Sequence, residues 1–159
     1  MQIIYAWLRN PDGSIEQYNK ELQKSIKSFE DLYYLFFQLL IEIHHYLLKE
    51  IERKKNKHLP TDEEKNPNMR FIDNPAMQAI VNNPEIQSYL KNNAIGWHED
   101  EDLVKKLAKE IEASNFYNRY MVKEEEPDHK VHKEVIITIL TDIFAESDAL
   151  FETLEEKSV

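Results

Sequence analysis

An all-α multi-helix bundle is the fold class this sequence predicts, and three observations lead there. Only two glycines, Gly13 and Gly96, occur in 159 residues, whereas sheet-rich folds draw on glycine for tight turns and close backbone approaches. Apolar residues recur at intervals of three and four over long stretches, the stripe of an amphipathic helix. Capping residues stand where such stripes begin, as at Ser14 and at Asn83-Pro84. Hydrophobic residues make up 42% of the chain, enough for a real core. The length fits a single domain over residues 1–159.

Taken in order, residues 1–9 are apolar nearly all round and read as the tail of a longer helix, so the chain is expected to begin inside an element. Asn10-Pro11-Asp12-Gly13 makes a turn, proline fixing one φ and glycine allowing a positive one. Ser14 with Gln17 fits a capping box, and neither proline nor glycine returns until Pro60. Ile15, Tyr18, Leu22, Ile26 and Phe29 form one stripe. From Leu32 to Leu48 apolar positions become dense, as in a central helix buried on most sides. The change of character predicts a break near 25–28 and two helices.

Residues 56–75 carry Pro60, Pro67 and Pro75 among polar residues and are expected to be an extended loop, a kind that is often functional. Asn83 caps a helix that opens on Pro84 and runs to about Asn92. Gly96 ends that segment, with Trp97 packed on a neighbour. Asp100 or Glu101 starts a helix through Leu103, Val104, Leu107 and Ile111, and Ser114 opens a turn. Glu124-Glu125-Glu126-Pro127 is expected in the first turn of a helix through Val131, Val135, Ile136, Ile139, Leu140, Ile143 and Phe144, since acid and proline suit a first turn. Ser147 caps the last helix.

Several function classes are disfavoured. Two isolated glycines exclude the glycine-rich phosphate loops of P-loop and Rossmann proteins. No serine or cysteine nucleophile motif is present and the chain has no cysteine, so an enzyme is not expected, nor a cofactor. Nothing approaches the roughly 20 apolar residues of a membrane span, and the start lacks signal-peptide character. The cytoplasm is therefore the expected compartment. Glu42 and His45 stand three apart, half of a di-iron carboxylate motif. Without a second Glu-x-x-His this pair is ordinary helix-surface polarity, and His44 and His45 are expected as polar-edge residues. A metal-dependent bundle enzyme is the remote alternative.

The net charge of −10 opposes a nucleic-acid role, because phosphate contacts dominate such affinity. Residues 49–58 run against that balance. There Lys49, Arg53, Lys54, Lys55 and Lys57 outnumber Glu50 and Glu52. Cations at a helix C-terminus are favoured by the dipole alone, but the cluster is also the best candidate for contact with RNA or an acidic partner. At the other end, Gln2 and Tyr5 share one helix edge, and Tyr5 could stack on a base.

Met1-Gln2-Ile3-Ile4-Tyr5-Ala6-Trp7 resembles the second half of the first helix of the NusB family of transcription antitermination factors. Arg53-Lys54-Lys55-Asn56-Lys57-His58-Leu59-Pro60-Thr61, Asn66-Pro67-Asn68, Arg70-Phe71-Ile72-Asp73-Asn74 and Asn115-Phe116-Tyr117-Asn118-Arg119-Tyr120-Met121 are similar to a long bacterial form of that family. The resemblance implies an all-α, NusB-like fold that binds boxA-type RNA with NusE, a small-subunit ribosomal protein, within the transcription elongation complex. It puts Gln2 and Tyr5 on or near the RNA- and partner-facing surface. The family's arginine-rich stretch would lie just before Met1 and its last helices after Val159, so the chain reads as a fragment with weak autonomous RNA binding. The competing reading is a helical protein-interaction module whose exposed apolar patches drive self-association, a homodimer included.

Overall fold

The computed structural model describes Tyr5, Arg9 and residues 14–93, 96–122 and 125–157. Among these residues every regular element is helical and there is no strand. The organising element is α1, Ile15–Lys55, a single helix of 41 residues and therefore about 60 Å long at ~1.5 Å per residue. Ser14 caps it, its hydroxyl accepting from the Glu16 amide at 3.2 Å. The break expected near 25–28 does not occur. Ser25, Lys27 and Ser28 are only mildly unfavourable inside a helix, and no proline or glycine interrupts the ladder. The stripe changes character because the surroundings of the helix change, from solvent to bundle.

Six shorter pieces follow α1. They are α2 (Asp62–Lys65), α3 (Pro75–Val81), α4 (Pro84–Asn93), α5 (Glu101–Ala113), α6 (Asn115–Met121) and α7 (His129–Thr138). Among them α4 packs on the middle of α1, at Lys27, Asp31 and Tyr34. A π-helical turn, Ile139–Phe144, carries α7 on, and α8 (Asp148–Glu156) follows. The core joins Leu35, Leu39, Leu40, Ile43 and Leu47 of α1 to Leu107, Ala108 and Ile111 of α5, Met77 of α3, and Ile139, Phe144 and Leu150 further on. Trp97 is buried as expected, its indole N–H donating to the Leu35 carbonyl at 2.9 Å. No helix among the described residues is long and apolar enough to cross a membrane.

Local chemistry explains most helix starts. The Asn83 side chain accepts from the Glu85 and Ile86 amides, with Pro84 first in α4. Asn74 does the same for α3. Ser114 caps a short helix, α6, where only a turn was expected, and Ser147 caps α8. α7 starts later than the acidic run predicts. Asp128 is its cap, accepting from the Val131 amide at 2.9 Å, which leaves Glu125, Glu126 and Pro127 ahead of the helix.

Residues 56–75 hold only the short α2 and the first residue of α3 and are otherwise irregular, but they are anchored to the bundle. Thr61 and Glu64 form a reciprocal capping box around α2, and Phe71, Ile72 and Asn74 are buried. Asn68 donates to the Met121 carbonyl at 2.8 Å and Arg70 to the Tyr120 carbonyl at 2.9 Å. Asn74 Nδ2 donates to the His132 carbonyl at 3.1 Å. The Tyr120 hydroxyl lies 3.2 Å from the Arg70 carbonyl and 2.9 Å from His132 Nδ1. A hydroxyl has one proton, so donation to Arg70 requires His132 to donate from Nδ1. The segment is a strap tied into α6 and α7.

His44 also differs from expectation. It is buried, with Nε2 3.1 Å from the Ile72 carbonyl, while His45 alone takes the exposed edge. Burial pulls the His44 imidazole below its ordinary range, the Ile72 contact opposing that only in part.

Candidate functional site

The basic cluster lies on the last turns of α1 and just beyond them, where Lys49, Arg53, Lys54, Lys55 and Lys57 are all exposed. Two of the five are engaged. Arg53 makes a two-pronged contact with Glu50, Nε to Oε1 at 3.0 Å and Nη2 to Oε2 at 2.8 Å, and Lys57 reaches Glu64 at 2.6 Å. Such solvent-facing pairs hold little energy and exchange readily for a phosphate. Lys49, Lys54 and Lys55 have no ion-pair partner among the described residues.

The fold adds a cation that local sequence does not. Lys49 of α1 and Lys105 of α5 line one groove of about 540 Å³, together with Tyr46, Glu50, Trp97 and His98. The Arg53 contact is the main reason the Glu50 carboxyl sits below the usual carboxylate range, and the charges of Lys54 and Lys105 pull it the same way. Lys105, Lys106 and Lys109 on the polar face of α5 are visible in sequence as charges of an amphipathic helix. Only the packing of α5 on α1 shows which of them joins the cluster.

The same groove carries acid at its other end. Glu42, Glu101 and Asp102 line it beside His45 and His98. Beneath it, Lys157 pairs with Asp100 at 2.7 Å and lies 5.3 Å from the centre of the Trp97 ring, which pins α8 to the start of α5. Gly96 sits in a tight spot, where a Cβ would stand 3.0 Å from both Gln38 Nε2 and His98 Cδ2, so those side chains would have to shift slightly. Among the described residues no group of three or more His, Asp or Glu side chains is placed to hold a metal.

Of the other candidates, Gln2 lies outside the described residues. Tyr5 is helical and 59% exposed, with the Arg9 guanidinium 5.2 Å from its ring centre, so its face is already shared with a cation. No hydrogen bond or ion pair among the described residues links Tyr5 to the basic cluster.

A second surface was read in sequence only as the stripe of a helix. Ile15, Ile26, Phe29 and Tyr33 are 70%, 60%, 78% and 56% exposed, and Leu22 is 39% exposed. Scattered apolar residues on a surface are ordinary, but a continuous line of them marks a contact face. The chain matches no protein-family model, no curated protein and no solved structure.

Proposed function

We propose that this chain is a binding protein of NusB type, without catalytic activity of its own. In this reading it contributes to transcription antitermination by engaging boxA-like RNA together with the small-subunit ribosomal protein NusE in the elongation complex. The observation that carries the reading is the basic surface at the end of α1, where Lys49, Lys54 and Lys55 are exposed and Lys105 of α5 shares one groove with Lys49. An all-helical frame and the sequence resemblance support it. A local run of cations, in a chain of net charge −10, suits a few phosphate contacts and not a general polyanion surface. The RNA affinity of the chain alone is therefore weak, and a basic partner completes the surface.

Fluorescence anisotropy with a boxA-like RNA, with and without NusE, tests this. The expected result is weak binding alone and at least ~10-fold tighter binding in the three-component mixture, with Lys54→Glu and Lys55→Glu each lowering the salt dependence by about one phosphate contact. Indifference of RNA binding to NusE, or to both substitutions, would remove the reading. A second reading, a helical protein-interaction module without RNA, is favoured by the exposed line of apolar side chains on the first half of α1.

A further inference from the structure

We propose that the first half of α1 is a docking surface for an amphipathic partner helix whose flanks carry lysine or arginine. Ile15, Leu22, Ile26, Phe29 and Tyr33 are exposed at spacings of three, four and seven, so they lie along one side of the helix over about 27 Å. The bundle grips the opposite side. Lys27 Nζ lies 3.3 Å from both Tyr89 Oη and Asn93 Oδ1, Tyr89 donates to Asp31 at 2.6 Å, and the Tyr34 and Tyr89 rings stack at 3.7 Å. With the back of α1 held by α4, the apolar line faces outward on a helix already formed. That preorganisation lowers the ordering cost of binding.

Charge decides between occupants. At about 100° per residue, Glu30 and Glu16 flank one edge of the line, Glu21 lies further round on the other side at the same remove as Lys27, and Lys20 and Lys24 fall on the far side. Among the described residues of the helix, Glu30 and Glu16 stand nearer to the line than any lysine does. A second copy laid antiparallel would set the Glu16 and Glu30 edges against each other, in a pair of chains each of net charge −10. A helix with an apolar stripe and basic edges meets the surface without that repulsion, the usual helix-on-groove mode with anchors three and four apart. The inference stands whether or not the chain binds RNA.

The test uses the full chain and designed peptides of about 18 residues, the length that spans the line. One carries leucines three and four apart with lysine on both edges. A second has glutamate at those edges, and a third has the first peptide's composition in scrambled order. In calorimetry near physiological salt, the lysine-edged helix is expected to bind at least ~10-fold tighter than either comparator. Phe29→Ser with Ile26→Ser should remove most of that binding, Glu16→Lys with Glu30→Lys should reverse the preference, and Phe151→Ser, on α8, should change nothing. Equal binding of the scrambled or glutamate-edged peptide, or no binding at all, would overturn the proposal. So would a dimer that Phe29→Ser dissociates in light scattering, since the occupant would then be a second copy. A loss of stability on Phe29→Ser as large as that of a core truncation would overturn it as well, because the line would then be covered from within the chain.

Discussion

The two halves of α1 are one helix in two environments. From Leu35 to Leu47 the helix presents Leu35, Leu39, Leu40, Ile43 and Leu47 to the core, each no more than 4% exposed. From Ile15 to Tyr33 it repeats the same period with the same kinds of residue, yet Ile15, Leu22, Ile26, Phe29 and Tyr33 are exposed, while Tyr18 is half-buried. Amphipathic spacing therefore specifies a helix and a face, and says nothing of what covers that face. A covered stripe holds the fold, and an uncovered one is the surface proposed above for a partner.

The largest test of the contrast is truncation. Leu39→Ala or Ile43→Ala should lower stability by about 2–5 kcal/mol through lost burial and a residual cavity, whereas Phe29→Ala should change it by less than about 0.5 kcal/mol. Urea midpoints measure both. The next effect belongs to the strap that encloses the buried half. Asn74→Ala removes the α3 cap and the donor to the His132 carbonyl, with an expected cost of about 2–3 kcal/mol. A cost below about 0.5 kcal/mol would mean that residues 66–75 are not tied as described.

A smaller effect sharpens the contrast through pH. His44 sits in the buried half with its proton affinity depressed by burial. The unfolded chain then binds the proton more readily than the folded one. Stability contributed by neutral His44 is present above its unfolded value of 6.5 and is lost progressively as pH falls below it. Replacing His44 with Asn should flatten the decline in urea midpoint between about pH 7.5 and 5.5. An unchanged slope would show that other groups govern it.

Much of the fold was legible because capping is local. Asn83-Pro84 and Ser147 announced α4 and α8 through side chains that bond amides two or three residues on. What stayed hidden depended on distant partners. The break expected at 25–28 came from a change in apolar density, which records the edge of the bundle and not a change in the backbone. Residues 56–75 read only as an extended loop because their anchors, the Met121 and Tyr120 carbonyls and the His132 carbonyl, lie more than 40 residues away. His44 and His45 are indistinguishable in sequence, and only the Ile72 carbonyl separates the buried one from the exposed one. For the basic cluster, Lys49 through Lys57 was readable as a charge run, while Lys105 entered through the packing of α5 on α1.

Hydrogen exchange along α1, with and without the lysine-edged peptide, addresses the central claim most directly. Amides of residues 35–47 should exchange only on global unfolding, and those of 16–30 much faster by local opening. Adding the peptide should slow the second set and leave the first unchanged. Equal protection of both halves in the free chain, or a fast-exchanging gap confined to 25–28, would contradict a single helix that is half core and half contact surface.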